Sequence, residues 1–129
     1  MSTKIRIVLD TSAIINYCAE SIAVGELIAE VADESSKAGI PVLCLAEASR
    51  YVTDVDLLRL LTRHPATTLL TVPVVAWKAL ATSTHEVVGR ADAASAGLAA
   101  VRHDCEVLTA VPALYAGLDE GGPVISIEE

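Results

Sequence analysis

Five short runs of aliphatic and β-branched residues recur along the chain and predict five β-strands. The predicted strands are Ile5–Leu9, Ile40–Leu45, Thr67–Val72, Glu106–Thr109 and Val124–Ile127. Pro41 suits the start of the second strand, because proline is tolerated at the first residue of a strand. The runs are short and nearly uninterrupted, which is typical of strands covered on both faces of a parallel sheet.

Between the strands, apolar positions three and four residues apart predict helices. The predicted helices are Ala13–Ala19 behind a Thr11-Ser12 cap, Ala23–Lys37 with Gly39 as its stop, Ala46–Tyr51, Asp54–His64, Pro73–Ala81 and Asp92–His103. Thr82–His85 is predicted to be a loop, Ala110–Gly117 a loop or short helix, and Gly121-Gly122 a turn. Strands alternating with helices favour a three-layer α/β/α sandwich with a mostly parallel sheet, formed by residues 1–129 as one domain.

Composition supports a packed aliphatic core. The chain is 53% hydrophobic, which excludes a disordered protein, and it contains no Phe. Because aromatic residues make up only 3% of the chain, an RNA-binding surface built from stacked rings is not expected. Tyr51 and Trp77 are therefore expected to lie in the core or in an interface.

No membrane-spanning helix is predicted despite the mean hydropathy of +0.52. The longest uncharged stretch, Pro65–Trp77, falls short of the roughly 20 residues that a spanning helix needs. Three scattered cysteines, Cys18, Cys44 and Cys105, with no apparent secretory signal, indicate reduced thiols and a cytoplasmic protein.

The net charge of −8 argues against a protein that coats nucleic acid. It leaves two interpretations: a solvated acidic surface, or carboxylates that converge on a cation. Asp10 ends the first predicted strand, Glu47 follows the second, and Asp92 begins an alanine-rich helix. Each alone is explained as a helix cap. Together at one sheet edge they would repel one another unless a cation such as Mg²⁺ or Mn²⁺ offset their charge.

Four segments that contain these acids resemble the PIN domains, the fold of VapC-type toxin ribonucleases. The segments are Ile5–Ile15, Pro41–Ala48, Arg90–Ala99 and Glu106–Thr109. They contribute, in order, an apolar strand followed by Asp and hydroxyl residues, a Glu that begins a helix, an Asp that heads a helix of small residues, and a further strand. The resemblance covers nearly the whole chain and implies a PIN-like fold.

The resemblance implies that Asp10, Glu47 and Asp92 are catalytic ligands of Mg²⁺ or Mn²⁺ in the hydrolysis of RNA phosphodiester bonds. It also implies supporting roles for the hydroxyl groups of three residues, Thr11, Ser12 and Thr109. The protein would be the toxin of a toxin–antitoxin pair, a homodimer bound by an antitoxin. Arg50 and Arg90 could each pair with the neighbouring acid or contact an RNA phosphate.

The chain departs from the PIN pattern at one position. These proteins commonly carry a fourth acid just after the Thr that ends the fourth strand, where this chain has Ala110. Asp104 precedes that strand and Asp119 lies well downstream. The departure motivates an alternative: a catalytically degenerate PIN-fold protein that binds RNA or a protein partner without cutting. A signalling domain of the receiver type is a further alternative, although neither Lys4 nor Lys78 is suitably placed for it.

Overall fold

A computed structural model of the protein describes residues 4–86, 89–117 and 124–127, and in these a five-stranded sheet forms the centre. The strands are β1 (Ile5–Leu9), β2 (Lys37–Pro41), β3 (Thr67–Leu70), β4 (Glu106–Thr109) and β5 (Val124–Ser126). Their order across the sheet is β3-β2-β1-β4-β5, and every neighbouring pair is parallel. This is the order of a doubly wound sheet. The predicted three-layer α/β/α sandwich is confirmed.

Six α-helices connect and cover the strands within these residues. They are α1 (Thr11–Cys18), α2 (Ile22–Asp33), α3 (Val42–Ser49), α4 (Val55–Arg63), α5 (Trp77–Glu86) and α6 (Ala91–Arg102). Two 3-10 segments, Val74–Ala76 and Pro112–Tyr115, complete the described connections. The chain crosses the sheet in one direction from β1 to β3 and then returns to the other side of β1 for β4. With right-handed crossovers, this change of direction puts helices on both faces of the sheet.

The core lies around β1, the middle strand. Ile7, Val8 and Leu9 are completely buried there, as expected for a parallel strand covered on both faces. Helix α6 packs against β4, β1 and β2, and its Ala93, Ala94, Ala96, Gly97, Ala99 and Ala100 are buried. These small side chains let the helix approach the sheet closely, which brings the residue at its N-terminal end, Asp92, to the edge where β1 and β4 end.

Helix α2 ends four residues before its predicted end, and Gly39 lies in β2 instead of stopping the helix. Ser35 adopts a left-handed φ of 57° and donates its N–H to Ala32 O, while Ser36 N–H reaches Val31 O. These are the two bonds of a Schellman motif, which usually uses glycine at this place. A Cβ at Gly39 would lie 2.5 Å from Leu70 Cδ1, so glycine in β2 makes room for β3.

The second predicted strand, Ile40–Leu45, was assigned too far along the chain. Pro41 is the last residue of β2, and Val42–Leu45 belongs to α3. Cys44 and Ala48, one helical turn apart, are fully buried, and α3 packs against α1 and α6. This packing overrides the β preference of the Val-Leu run. Glu47 therefore lies in the last turn of α3 and not at the helix start that the sequence suggested.

Smaller differences concern caps, loops and aromatic residues. Asp10, not Thr11 or Ser12, caps α1, and the predicted loop Thr82–His85 is part of α5. Tyr51 and Trp77 are 59% and 62% exposed, so neither lies in the core, and the predicted alternative of an interface position stays a prediction. The third strand ends at Leu70, before the predicted Val72, and the predicted Gly121-Gly122 turn lies outside the described residues.

In the described part of the chain, no single helix is long and apolar enough to cross a membrane. Helices α1 and α2 reach that length and composition only as a pair bent by 104°.

Candidate functional site

A pocket of about 460 Å³ opens at the carboxyl edge of the sheet and contains all three acids predicted from the sequence. Asp10, Glu47 and Asp92 line it, together with Thr11, Ser12, Ile15, Tyr51, Arg90, Ala93, Val111 and Leu114. Ligands in open α/β sheets bind at this edge. The pocket has a floor, formed by Asp10 and Asp92, and a rim, formed by Glu47 and Tyr51, and Arg50 lies beside the rim, paired with Glu47.

Asp10 is the most enclosed acid, at 2% exposure, and neutral donors hold both of its oxygens. Oδ1 accepts hydrogen bonds from Ser12 Oγ at 2.6 Å and from Ala13 N at 3.0 Å. Oδ2 accepts one from Tyr115 Oη at 2.7 Å. The side chain therefore has a structural function as the cap of α1 and a fixed orientation on the floor.

Two of the three hydroxyl groups predicted to support the site, those of Ser12 and Thr109, form a hydrogen-bonded chain that ends on Asp10. Ser12 Oγ and Thr109 Oγ1 lie 3.2 Å apart, and Ser12 has a single proton, which the 2.6 Å bond gives to Asp10. Thr109 must then donate to Ser12, while it accepts from Val111 N. Ala110 N also donates to Ser12 Oγ, at 2.9 Å. The residues after β4 thus help to orient the acid after β1.

Asp92 is held by a hydroxyl group and a cation. Thr11 Oγ1 donates to its Oδ2 at 2.6 Å, and Arg90 binds both oxygens, with Nε–Oδ1 at 3.0 Å and Nη2–Oδ2 at 2.8 Å. Burial acts to raise the pKa of Asp92, but the hydrogen bonds from Arg90 and Thr11 and the charge of Arg90 outweigh it. The net pKa is lower than usual. Asp92 is therefore a carboxylate paired with an arginine.

Glu47 occupies the pocket rim and is more exposed than the floor acids. Arg50 Nη1 lies 3.1 Å from Oε1 and 3.2 Å from Oε2, and Tyr51 Oη lies 3.4 Å from Oε1. Arg50 and Arg90 thus each pair with the neighbouring acid, which is one of the two roles predicted for them. The hydrogen bond to Asp92 is the main cause that raises the pKa of Arg90, and the charge of Glu47 adds a smaller effect.

At the position of the missing fourth acid, the chain contributes only a backbone group to the site. Ala110 follows Thr109 directly and touches the site through its N–H. Asp104 precedes β4 in a left-handed conformation, φ 52°, and lines a different pocket with Lys4 and Arg6. Asp119 lies outside the described residues. In the described part of the chain, no acid takes the place expected just after β4.

The floor and rim acids offer only oxygen atoms, which is the donor chemistry that Mg²⁺ and Mn²⁺ prefer. However, no three His, Cys, Asp or Glu side chains among residues 4–86, 89–117 and 124–127 are arranged to hold one metal ion. Each of the three carboxylates is instead bound by protein donors. Because Arg90 engages both oxygens of Asp92, a divalent ion and Arg90 would compete for this carboxylate.

Tyr115 is the site residue that the sequence analysis missed. Its ring is completely buried, and its contact with Asp10 joins residues 105 positions apart. Burial first, and then the charge of Asp10, raise the pKa of Tyr115 far above its usual value, so the phenol keeps its proton and donates. The available signal was its position just beyond the carboxyl end of β4, in a chain with few aromatic residues.

Cys44 lies under the site, but its thiol is unreactive. Burial raises the pKa of its thiol to about 12, and the charge of Asp10 adds to this effect. Sγ donates to the main-chain oxygen of Asp92 at 3.1 Å. A thiol that stays protonated is a poor nucleophile, so the completely buried Cys44 serves packing.

Comparison with known proteins supports the fold alone. No family model matches the chain, and no curated protein matches it. Among solved structures, PAE2754 from Pyrobaculum aerophilum is similar, with a TM-score of 0.63 and 16% sequence identity. The match covers 93% of this chain and 83% of that one. At this identity, the likeness concerns the arrangement of strands and helices.

Proposed function

We propose that the protein is a metal-dependent endoribonuclease of the PIN type, which hydrolyses RNA phosphodiester bonds. The observation that carries the proposal is the meeting of Asp10, Glu47 and Asp92 in one pocket at the carboxyl edge of a parallel sheet. They come from three separate segments, after β1, within α3 and at the start of α6. The resemblance to PIN domains assigns a ligand role to these same three positions.

Asp10, Glu47 and Asp92 would hold Mg²⁺ or Mn²⁺ only after protein donors such as Arg50 and Arg90 give way to the ion, because the three side chains are not arranged as a metal site in this structure. When bound, the ion supplies a water molecule of lowered pKa and positive charge opposite the phosphoryl group. The chain's own contribution is orientation. Ser12, Ala13 and Tyr115 fix Asp10, so this carboxylate requires little reorganisation when it acts as a ligand.

The arginines give an acidic protein a local means to bind a polyanion. Arg90 lines the pocket beside Asp92, and Arg50 pairs with the pocket residue Glu47 and has a side chain that is 67% exposed. Guanidinium groups suit phosphate because they donate two parallel hydrogen bonds. A substrate phosphate at the pocket would therefore find both arginines within the same small region, although the net charge of the chain is −8.

The resemblance extends the proposal to partners and location. The protein would be the toxin of a toxin–antitoxin pair, would form a homodimer, would be bound by an antitoxin protein and would act in the cytoplasm.

A second candidate, binding of RNA or a protein partner without cleavage, has an observation of its own. The three carboxylates are fully engaged with protein donors, and Ala110 stands where a fourth acid is expected. Both features would weaken metal binding. Cleavage of RNA separates the two candidates directly.

The test is cleavage of single-stranded RNA in Mn²⁺ by the wild type and by Asp10→Asn and Asp92→Asn. Each substitution should slow cleavage at least about 100-fold, since residues that merely support a metal ligand are typically worth 10- to 100-fold. Asp104→Asn is the matched control. It removes an acid at the opposite edge of the sheet, and asparagine tolerates the left-handed φ found there.

Cleavage by the wild type and by Asp104→Asn, but not by the two site variants, would support the nuclease. Cleavage that survives in Asp10→Asn would belong to a contaminant and would remove the support. A wild type that binds RNA without cutting it in Mn²⁺ would favour the second candidate.

A further inference from the structure

Tyr51 places an exposed aromatic ring beside the acids. It is 59% exposed, yet it lines the same pocket as Asp10, Glu47 and Asp92. Tyrosine combines an apolar ring with a polar hydroxyl group and is common at binding surfaces. Its position links an open surface to the proposed reaction site.

A cation accompanies the ring. The guanidinium carbon of Arg50 lies 5.6 Å from the centroid of Tyr51, within the range of a cation–π contact. Arg50 also binds Glu47, and the hydroxyl group of Tyr51 lies 3.4 Å from the same carboxylate. The ring and the guanidinium are therefore tied to a residue of the pocket. We call Tyr51 and Arg50 together the Tyr51–Arg50 platform.

We propose that the Tyr51–Arg50 platform stacks on an unpaired base of single-stranded RNA and contacts the phosphate next to that base. The proposal rests on the proposed action on RNA and adds a binding role for Tyr51, which the resemblance does not assign. Unpaired bases commonly stack on tyrosine rings and on arginine planes, and such platforms need no particular base. A base inside a duplex is already stacked on its neighbours, so the platform selects single strands.

The side chains become more exposed from the pocket floor to the Tyr51–Arg50 platform, and this gradient indicates the path that the RNA would follow. Asp10 is 2% exposed and Asp92 is 8% exposed, whereas Tyr51 is 59% exposed. Arg90 is bound to Asp92 and lines the same pocket as Tyr51. A phosphate at the floor and a base on the ring can therefore belong to one short stretch of RNA. The role of the platform is binding and positioning, and it takes no part in bond breaking.

The chain provides a matched control for an exposed aromatic residue with a cation. Trp77 is 62% exposed, and Lys78 Nζ lies 5.5 Å from the centroid of its ring. Trp77 does not line the pocket that holds the acids. If exposed rings bound RNA non-specifically, both Trp77 and Tyr51 would contribute to binding. The proposal predicts that only Tyr51 contributes to RNA binding.

The experiment measures binding of labelled single-stranded RNA of about ten nucleotides, a length within the range of known single-strand sites. The RNA carries 2-aminopurine, whose fluorescence falls when it stacks, and the matching duplex serves as a second probe. Tyr51→Leu should weaken single-strand binding about 5- to 100-fold and abolish the fluorescence change. Tyr51→Phe, which keeps the ring, should stay within about 3-fold of wild type, and Trp77→Leu within about 2-fold.

Each result has one meaning. Loss in Tyr51→Leu with retention in Tyr51→Phe and Trp77→Leu supports the platform, even if no variant cleaves RNA, in which case the nuclease proposal alone fails. Equal binding by Tyr51→Leu and wild type overturns the platform, and so does equal loss in Trp77→Leu. If Tyr51→Leu still cleaves single-stranded RNA as efficiently as wild type, the platform fails and the nuclease stands.

Discussion

Asp10 on the pocket floor and Glu47 on the pocket rim are held in different ways. Asp10 on the floor is buried and bound by two hydroxyl groups and a backbone N–H, all uncharged. Glu47 on the rim is bound by Arg50, and this ion pair is largely open to solvent. Buried polar groups are costly to leave unpaired, whereas exposed ion pairs contribute little. The floor should therefore govern stability, and the rim should be free to exchange its partners for a ligand.

The largest expected effect comes from removing the floor acid. In metal-free protein, Asp10→Ala should lower the free energy of unfolding by about 3 kcal/mol, because α1 loses its cap and the buried hydroxyl of Tyr115 loses its acceptor. Glu47→Ala should change it by about 0.5 kcal/mol or less. Urea unfolding followed by circular dichroism measures both values. Similar losses in the two variants would remove the distinction between floor and rim.

A pair of smaller changes tests the same contrast with one hydroxyl group each. Tyr115→Phe should cost about 1 to 2 kcal/mol of stability, since it removes a fully buried donor from Asp10. Tyr51→Phe removes an exposed hydroxyl group with a 3.4 Å contact and should cost less than about 0.5 kcal/mol. The same urea titrations apply. A Tyr115→Phe protein as stable as wild type would show that Asp10 does not depend on this contact.

The smallest expected effect on stability occurs only at acidic pH. The pKa of Asp92 is lower in the folded protein than its ordinary value, so folding favours the charged form. The stability that this provides is present above the unfolded pKa, near 4, and is lost as pH falls through the folded value. In metal-free buffer, the stability difference between wild type and Asp92→Asn should therefore narrow below about pH 4.

Arg90→Gln is the control for this acid effect, because it removes the cation that keeps the pKa of Asp92 low. Its stability should fall less steeply between pH 4 and lower values than that of wild type. Equal acid profiles for wild type, Asp92→Asn and Arg90→Gln would contradict the pairing of Asp92 with Arg90.

Local patterns predicted much of the fold. Strands β1 and β4 have the predicted bounds, and α4 follows its predicted Asp54 cap, because alternation, capping and apolar spacing act between near neighbours. The end of α2 was missed because Ser35 adopts the left-handed conformation usually taken by glycine. The start of α3 was missed because packing of Cys44 and Ala48 outweighed the preference of the preceding residues for a strand.

The sequence predicted where the acids of the site lie but not which groups they contact. Strand ends indicated where Asp10 and Asp92 lie, since parallel strands bring their carboxyl ends to one edge. The bond from Tyr115 to Asp10 spans 105 residues, and no local pattern reports it. The exposure of Tyr51 was also hidden, because its place on the pocket rim depends on how α3 packs against α1 and α6.

The central claim is that the three acids of the pocket share one divalent ion, and calorimetric titration with Mn²⁺ tests it most directly. The wild type and Asp104→Asn should bind one Mn²⁺ with equal affinity, and Asp10→Asn and Asp92→Asn should bind it at least about 10-fold more weakly. Absence of Mn²⁺ binding by the wild type at millimolar metal, or unchanged binding by Asp10→Asn, would contradict the account.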